Sequence, residues 1–426
     1  MSTGMLFGFM FLLLFLGMPI AFAICIPAIV AMFMSGISPT LFVTTSFTGI
    51  DSFPLMAVPF FILAGKLMEM GGISLRLINL VNFFIGKVTG GLAIVSVVTC
   101  ALFGAVSGSA VATSVSVGGI MLPSMGKEGY DKVFSTALLC IAGTIGALIP
   151  PSMTFIIYGT LTGTSIGDLF IAGIGPGVLL TVALAVTGYL ISRKNGWKSS
   201  WAVERTPGNF WKVFKDSIAA LLVPIIILGG IYSGIFTPTE AGAVSCLYAF
   251  ICIKYILKTL DWAGLYKVVA DSAQLTAVMI IIISFAAGFA RYLSIENIPQ
   301  QVSDYMISIS NSKYAFLAIV TIFLLIIGCI MDTTPAMIVM APIFAPIAAK
   351  FGVDPVHFGI IMSFGLLVGL STPPVGASLY VMSSMTKINF LKIARAMVPF
   401  YIATLVSLIL VLLVPQISLF ILNILK

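Results

Sequence analysis

The chain has 426 residues, of which 60% are hydrophobic and 8% charged, and its formal net charge is +7. Soluble domains carry roughly 25% charged residues, so this composition excludes a soluble globular protein. The basic excess lies mainly in short loops and not in a soluble binding fold, which excludes a nucleic-acid-binding protein.

Apolar stretches long enough to cross a bilayer recur along the chain. A crossing needs about 20 residues, and the stretches of this kind are 7–34, 92–121, 133–149, 219–236, 315–331 and 392–422. We predict an all-α polytopic protein in a lipid bilayer, with about ten or more crossings. No Lys or Arg precedes the first stretch, which is too long for a signal-peptide core, so we predict a retained membrane helix.

A run of small and hydroxylated residues, 104–114, interrupts the second apolar stretch. Its centre is Ser107, Gly108 and Ser109. Irregular backbone at membrane depth survives only where it is buried in protein or lines a cavity. We therefore interpret the run as the tip of a re-entrant helical hairpin. Close helix packing, which also enriches Gly and Ser, is the alternative.

Two proline pairs, Pro150-Pro151 and Pro373-Pro374, break apolar segments. Each pair removes two backbone donors and leaves carbonyl groups of the preceding turn without partners. Carbonyl and hydroxyl oxygens with few charges nearby suit Na⁺ better than a transition metal, which prefers His or Cys. Together with the polar run at 104–114 and a second polar run at 328–335, these breaks predict two cation sites related by pseudo-symmetry.

A basic, tryptophan-bearing linker, residues 193–215, divides the chain, and the positive-inside rule predicts that it is cytoplasmic. Features recur on its two sides: Ala64-Gly65 and Ala287-Gly288, the proline pairs, and Pro176 and Pro399 are each 223 residues apart, and the polar clusters beginning at Ser107 and Asp332 are 225 apart. We predict a first repeat over 1–192 and a second over 216–426. With five crossings each, the two repeats would be inverted.

Asp332 ends a long apolar run and is followed by two threonines and a proline. An ionisable group in this setting is a functional hypothesis by default, and a helix N-cap is a compatible structural role. Helix N-termini that face a cavity favour an anion such as a carboxylate. Arg291 is a candidate partner for that carboxylate, or else a side chain that snorkels to the interface.

Other polar residues are given structural roles. His357 is expected in a loop, without chemistry. The pairs Lys66–Glu69 and Lys127–Asp131 have helical spacing and are interpreted as solvated ion pairs at membrane edges. The six cysteines read as buried thiols, forming neither disulfides nor a metal site.

Two further motifs are FPLMAVPFFILAG at 53–65 and GIFTPTEAGA at 234–243. With the proline pairs and the Asp332 cluster, they resemble the large membrane subunit of tripartite ATP-independent periplasmic (TRAP) transporters, along essentially the whole chain. Residues 237–241 are the most specific part of the resemblance. It implies an elevator-type secondary transporter of the bacterial inner membrane, driven by Na⁺ and importing an organic acid. Substrates in this family include C4-dicarboxylates, sialic acids, sugar acids and keto acids; overall similarity favours sialic acid.

The resemblance also implies partners: a small membrane (Q) subunit, expected as a separate protein because this chain begins directly with the large subunit, and a periplasmic substrate-binding protein (P subunit). It places the ion and substrate sites at two hairpin tips, 107–109 and 332–334, and at two broken helices, 146–150 and 369–373, with two or more Na⁺ ions. With Arg291 added, the predicted substrate-binding residues are Ser107, Ser109, Ser152, Thr154, Arg291, Asp332 and Thr334. Predicted Na⁺ site 1 comprises Ser107, Gly108, Gly146, Ile149 and Pro150, and Na⁺ site 2 comprises Gly328, Asp332, Thr333, Gly369 and Thr372.

Other functions fit the sequence less well. A stand-alone Na⁺/carboxylate symporter or an exchanger of a related inverted-repeat fold is the nearest alternative, and residues 237–241 favour the tripartite type. An intramembrane protease is disfavoured, because Ser107 has only His357 as a possible base and Asp168 has no matched second carboxylate motif. The sequence has no phosphate-binding loop for ATP and no ring-forming channel filter. We therefore predict a transporter and not an enzyme.

Overall fold

The computed structural model describes residues 3–86, 88–198, 207–309 and 312–425. Within these ranges the chain is helical and contains no β-strand. The helices are α1 (Thr3–Phe15), α2 (Ile20–Met34), α3 (Thr40–Thr48), α4 (Ala57–Met70), α5 (Ile73–Ile85), α6 (Gly91–Ser107), α7 (Ala110–Lys127), α8 (Lys132–Ala142), α9 (Ile145–Leu148), α10 (Met153–Thr162), α11 (Ile166–Lys194), α12 (Pro207–Tyr232), α13 (Pro238–Ile251), α14 (Trp262–Ile295), α15 (Ile298–Ile309), α16 (Lys313–Ile330), α17 (Thr333–Lys350), α18 (Pro355–Leu370), α19 (Ala377–Thr386), α20 (Phe390–Ala396), α21 (Val398–Leu413) and α22 (Gln416–Leu425).

Eight helical segments in the described ranges are long and apolar enough to cross a membrane, or nine if α20 and α21, bent by 56°, form one span. This is fewer than the ten or more predicted. The apolar stretch 7–34 is two short helices, because the chain between them holds Gly17, whose φ is +82°, and then Pro19. The apolar stretch was therefore counted as a membrane crossing at a place where the backbone forms two short helices.

The order of elements recurs along the chain. Helix α6 ends at Ser107 and α16 at Ile330, and α7 begins at Ala110 and α17 at Thr333, so both pairs are 223 residues apart. The peptide bonds within both proline pairs are cis. These helix breaks therefore recur at the spacing that the sequence predicts. The repeat boundaries at 192 and 216 stay a prediction, and linker residues 199–206 lie outside the described residues.

Each hairpin packs against the broken helix that follows it through a pair of glycines. A Cβ atom on Gly104 would lie 2.2 Å from the Cα of Gly146, and one on Gly369 would lie 2.7 Å from the Cα of Gly328. Backbones can approach this closely only where both side chains are absent. Close helix packing therefore explains why residue 104 is a glycine. The break in the backbone lies one turn later, at Gly108.

Two motifs that carry the family resemblance, 53–65 and 234–243, contact each other. Thr239 Oγ1, in the first turn of α13, donates to the Phe53 carbonyl at 3.0 Å, and Cys246 Sγ donates to the Phe60 carbonyl at 2.8 Å. Helix α13 begins with a capping box in which Thr237 and Glu240 satisfy each other's backbone amides. Helix α4 is thereby anchored beside α13.

Two predicted placements are wrong. His357 lies in the first turn of α18 and is 1% exposed, because Asp354 and Pro355 form an N-cap and first-turn start signal. Lys127 ends α7, whereas Asp131 is the N-cap of α8 and accepts from the Phe134 amide at 2.7 Å. The four-residue spacing of that pair therefore does not fall within one helix.

All six cysteines are free, and four of them are buried.

Candidate functional site

A cavity of about 340 Å³ is lined by both hairpin tips. Its walls come from α4, α7, α9, α10, α14, the end of α18 and both tips. The lining residues are Ile62, Gly65, Lys66, Glu69, Ser107, Gly108, Ser109, Ala110, Val111, Ala112, Val115, Ala147, Met153, Thr154, Leu275, Met279, Asp332, Thr333, Thr334 and Leu370. Elements from both repeats thus contribute to one site, as expected when binding sites form at a repeat interface.

The first tip is a helix C-cap joined directly to a helix N-cap. Gly108 has a φ of +61°, which ends α6, and a Cβ atom there would lie 2.7 Å from the Pro151 carbonyl oxygen. The Ser109 side chain caps α7 by accepting from the Ala112 amide at 3.4 Å. Thr113 Oγ1 lies 2.9 Å from Ser107 Oγ and donates to the Ser109 carbonyl at 2.7 Å. Thr113 was not predicted as a site residue. The sequence signal for it is its position about one helical turn after the break at Gly108.

The second tip is organised by Asp332, the N-cap of α17. Its Oδ1 atom accepts from the Thr333 amide at 2.6 Å and from the Thr333 hydroxyl at 3.1 Å. Thr333 and Thr334 are buried, whereas Asp332 is exposed towards the cavity. The N-cap role of Asp332 and a place in the cavity are therefore compatible in this structure.

Hydroxyl groups donate hydrogen bonds to backbone carbonyls at both helix breaks. Ser152 Oγ donates to the Ala147 carbonyl at 2.5 Å, and Thr372 Oγ1 donates to the Val368 carbonyl at 2.7 Å. The Tyr401 hydroxyl donates to the Ser371 carbonyl. Several carbonyls that the proline pairs were expected to leave open thus have partners within the chain, and Tyr401 was not predicted.

Five of the seven predicted substrate-binding residues line the cavity: Ser107, Ser109, Thr154, Asp332 and Thr334. Ser152 is fully buried behind them, 2.9 Å from Thr154 Oγ1. Arg291 lies exposed on α14 and is not among the described residues that line the cavity. The roles of these side chains in binding stay predictions.

Each predicted Na⁺ set is drawn from a hairpin and a broken helix that contact each other. In the first set, Gly108 lies against the Pro151 carbonyl, and Gly146 lies beside Thr113 and Gly104, while Ile149 packs against Gly177. In the second, Gly328 contacts Gly369, and the Gly376 amide donates to the Cys329 carbonyl at 3.2 Å.

The donor groups of the two sets suit a hard cation. They are carbonyl and hydroxyl oxygens with the Asp332 carboxylate, which is the oxygen-rich chemistry that Na⁺ accepts. Among the described residues, no group of three His, Cys, Asp or Glu is placed to hold a metal ion. The donor chemistry therefore fits Na⁺ better than a transition metal.

Lys66 and Glu69 form the ion pair that their spacing predicts, but the pair lines the cavity, a location that the spacing did not indicate. Lys66 Nζ lies 3.4 Å from Glu69 Oε2, Ser116 Oγ donates to Glu69 Oε1 at 2.8 Å, and both charged residues line the cavity. The reason is that α4 crosses the first tip, where a Cβ on Gly65 would lie 3.2 Å from the Ser107 carbonyl oxygen. The sequence signal for this location was a charged pair that directly follows the apolar motif 53–65, which ends at Gly65.

The chain was compared with known protein families and proteins. Residues 7–417 match the family model described as tripartite ATP-independent periplasmic transporter, DctM component. The isethionate TRAP transporter permease protein DctMQ of Oleidesulfovibrio alaskensis is 40% identical over 97% of this chain, which spans 65% of that longer protein. The C4-dicarboxylate TRAP transporter large permease protein DctM of Rhodobacter capsulatus is 37% identical, with both chains fully covered.

Further similarities agree in fold and family. The sialic acid TRAP transporter large permease protein SiaM of Vibrio cholerae is 35% identical over 98% of this chain and 97% of its own. The solved YdaH transporter of Alcanivorax borkumensis superposes with a TM-score of 0.62 over 87% of each chain, at 16% identity, which is a likeness of fold alone. The chain therefore belongs to the tripartite ATP-independent periplasmic transporter family as a DctM component, a multi-pass inner-membrane transporter subunit and not an enzyme.

Proposed function

We propose that the chain is the large permease of a tripartite system that imports a small organic anion, driven by Na⁺. The observation that carries the proposal is the cavity that both hairpin tips line. Hydroxyl groups from both tips line it, and the N-termini of α7 and α17 begin at its wall. Unpaired amides and the helix dipole at such N-termini favour negative charge.

The relatives' substrates share this chemistry. Isethionate, C4-dicarboxylates and sialic acid, which are named for three of the relatives, are all organic acids carrying a carboxylate or sulfonate. Identities of 40%, 37% and 35% to these relatives are too close together to select one of them. Sialic acid, favoured by the sequence, is thus one of three probes to test first.

Na⁺ coupling rests on the oxygen donors at the two hairpin contacts. Bound there, Na⁺ would supply the positive charge that offsets the Asp332 carboxylate and an incoming anion. Ser107 and Gly108 would then be held against the first broken helix, and Asp332 and Thr333 against the second, which orders both tips around the substrate. The ion gradient can drive import only if these residues bind Na⁺ better in one state than in another. An elevator movement of the ordered tips would connect the two states.

Two protein partners complete the proposal. The relative named DctMQ is longer than this chain, which covers 65% of it. We expect a small membrane (Q) subunit to act with this chain. A periplasmic substrate-binding protein (P subunit) would deliver the anion.

The test is uptake by proteoliposomes that contain the chain with its small subunit. Labelled isethionate, succinate and N-acetylneuraminate are each offered with the binding protein, with an inward gradient of either Na⁺ or K⁺. We expect uptake of one of these anions that needs both Na⁺ and the binding protein. Uptake that persists without the binding protein would favour a stand-alone symporter, and no uptake of any organic acid by folded protein would contradict the proposal.

A further inference from the structure

The charge of the cavity poses a problem for an anionic substrate. Lys66, Glu69 and Asp332 are the charged side chains among the described residues that line it, so their formal charge sums to −1. Na⁺ at the two hairpin contacts would offset this net charge, but a direct cationic hydrogen-bond donor to the anion inside the cavity must come from a lining side chain. Lys66 is the only cationic side chain in this lining, and Arg291, predicted for the role, does not reach it.

The ion pair leaves Lys66 available to a ligand. Its ammonium lies 3.4 Å from Glu69 Oε2, which is longer than the roughly 2.8 Å of a strong charge-assisted hydrogen bond. An ammonium group has three donors. The Lys66 side chain is 35% exposed, compared with 19% for Glu69. Lys66 is thus held on one side and open towards the cavity on the other.

Glu69 is held more firmly than its partner. Its second carboxylate oxygen, Oε1, accepts from Ser116 Oγ at 2.8 Å, and Ser116 belongs to the hairpin helix α7. The carboxylate therefore links α4 to the hairpin while it orients the Lys66 ammonium. This arrangement differs from an isolated surface ion pair, because the Glu69 carboxylate has a third, hydrogen-bonded partner on another helix.

We propose that Lys66 binds the carboxylate or sulfonate of the transported anion, and that Glu69, anchored by Ser116, positions it. The inference rests on the proposed function, because it names the residue that recognises the substrate class at the same site. Substrate binding would exchange the long Lys66–Glu69 contact for a direct contact with the anion. The Glu69 carboxylate would stay in place through its bond to Ser116.

The test uses the complex of the chain with its small subunit, purified in Na⁺. Affinity is measured by the thermal stabilisation that isethionate, succinate or N-acetylneuraminate confers, using whichever anion the wild type transports. We expect Lys66→Gln to weaken binding by about 10- to 100-fold, the loss typical of a charge-assisted hydrogen bond. Lys66→Arg should retain most of the affinity, and Lys392→Gln, a matched change on exposed α20, should retain all of it.

A charge swap separates substrate binding from a structural ion pair. The double variant Lys66→Glu with Glu69→Lys keeps the pair and the net charge but moves the cation one helical turn along α4. We expect it to bind the anion as poorly as Lys66→Gln. Full recovery of affinity in the swap, or wild-type affinity in Lys66→Gln, would overturn the inference while uptake by the wild type upholds the proposed function. If the wild type transports no organic anion, the proposed function fails, and the inference with it.

Discussion

At the scale of a single residue, Asp332 has two roles that substitutions can separate. Its carboxylate caps α17 through the Thr333 amide, and it brings a negative charge to the cavity. Capping requires a side-chain oxygen acceptor, which Asn also provides, whereas a contact with a cation requires the charge. Asparagine and alanine therefore remove different parts of what this residue does.

We expect Asp332→Asn to keep the stability of the wild type and to lose Na⁺-dependent uptake. Asp332→Ala should also lose uptake, and in addition about 1 kcal/mol of stability, because the N-cap is removed. Thermal unfolding in detergent and uptake by proteoliposomes measure the two effects. Wild-type uptake by Asp332→Asn would show that the residue serves α17 only as a cap.

Sequence reasoning found the residues that interrupt an apolar pattern and missed those that depend on distant packing. Ser107, Ser109 and Asp332 lie at polar breaks in membrane-length segments, where backbone and charge must be buried in protein or line a cavity. Lys66 and Glu69 have the spacing of an ordinary surface pair. Only the crossing of α4 over the hairpin tip, which local spacing does not encode, brings them into the cavity.

At the scale of elements, the glycine contacts between hairpins and broken helices set the geometry of the site. The closest approach is between two backbones, so a side chain on either glycine cannot be accommodated by a rotamer change. Overpacking of this kind typically costs about 1–3 kcal/mol. The hairpin tip, one turn beyond Gly104, would shift with the helix.

We therefore expect Gly104→Ala to lower thermal stability and to reduce uptake. Gly126→Ala is the matched control, because it lies in the hairpin helix α7 and a Cβ atom there would meet nothing within 4 Å. Alanine is favoured over glycine inside a helix by about 1 kcal/mol, so the control should be neutral or stabilising. Equal behaviour of the two variants would mean that the contact at Gly104 is unimportant.

The capping box of α13 gives a second prediction at this scale. Thr237→Ala removes the side chain that accepts from the Glu240 amide and should cost about 1 kcal/mol. Glu240→Gln should be tolerated, because glutamine also completes a capping box, whereas Glu240→Ala should be less stable. Thermal unfolding of the three variants tests this order, and a Gln variant as unstable as the Ala variant would contradict it.

Element breaks were predictable where Pro or Gly marked a polar run, and were missed where the run stayed apolar. The helix interruptions at Gly108 and at both proline pairs were found. The break between α1 and α2 was not, because Leu16, Gly17 and Met18 add no polarity to the window. A hydropathy window averages over backbone conformation, so it cannot separate one long helix from two short ones.

At the scale of the whole molecule, the recurrence of elements predicts on which side of the membrane corresponding loops lie. Helix α10 and helix α19 follow corresponding proline pairs, and each ends at a loop with a left-handed residue, Gly163 or Lys387. If the repeats are inverted, these two loops lie on opposite sides of the membrane. A cytoplasmic linker at the end of α11 then places the first loop in the periplasm and the second in the cytoplasm.

Single introduced cysteines test this arrangement in intact cells. We expect a membrane-impermeant maleimide to label Thr164→Cys from outside, and to label Lys387→Cys, 223 residues later, only after permeabilisation. Asn195→Cys, at the end of α11, should behave like Lys387→Cys because it reports the linker side. The parent chain supplies the background, since its six cysteines are free thiols. Labelling of positions 164 and 387 from the same side would mean that the two repeats run parallel, and the pseudo-symmetric pairing of the cation sites would then have to be abandoned.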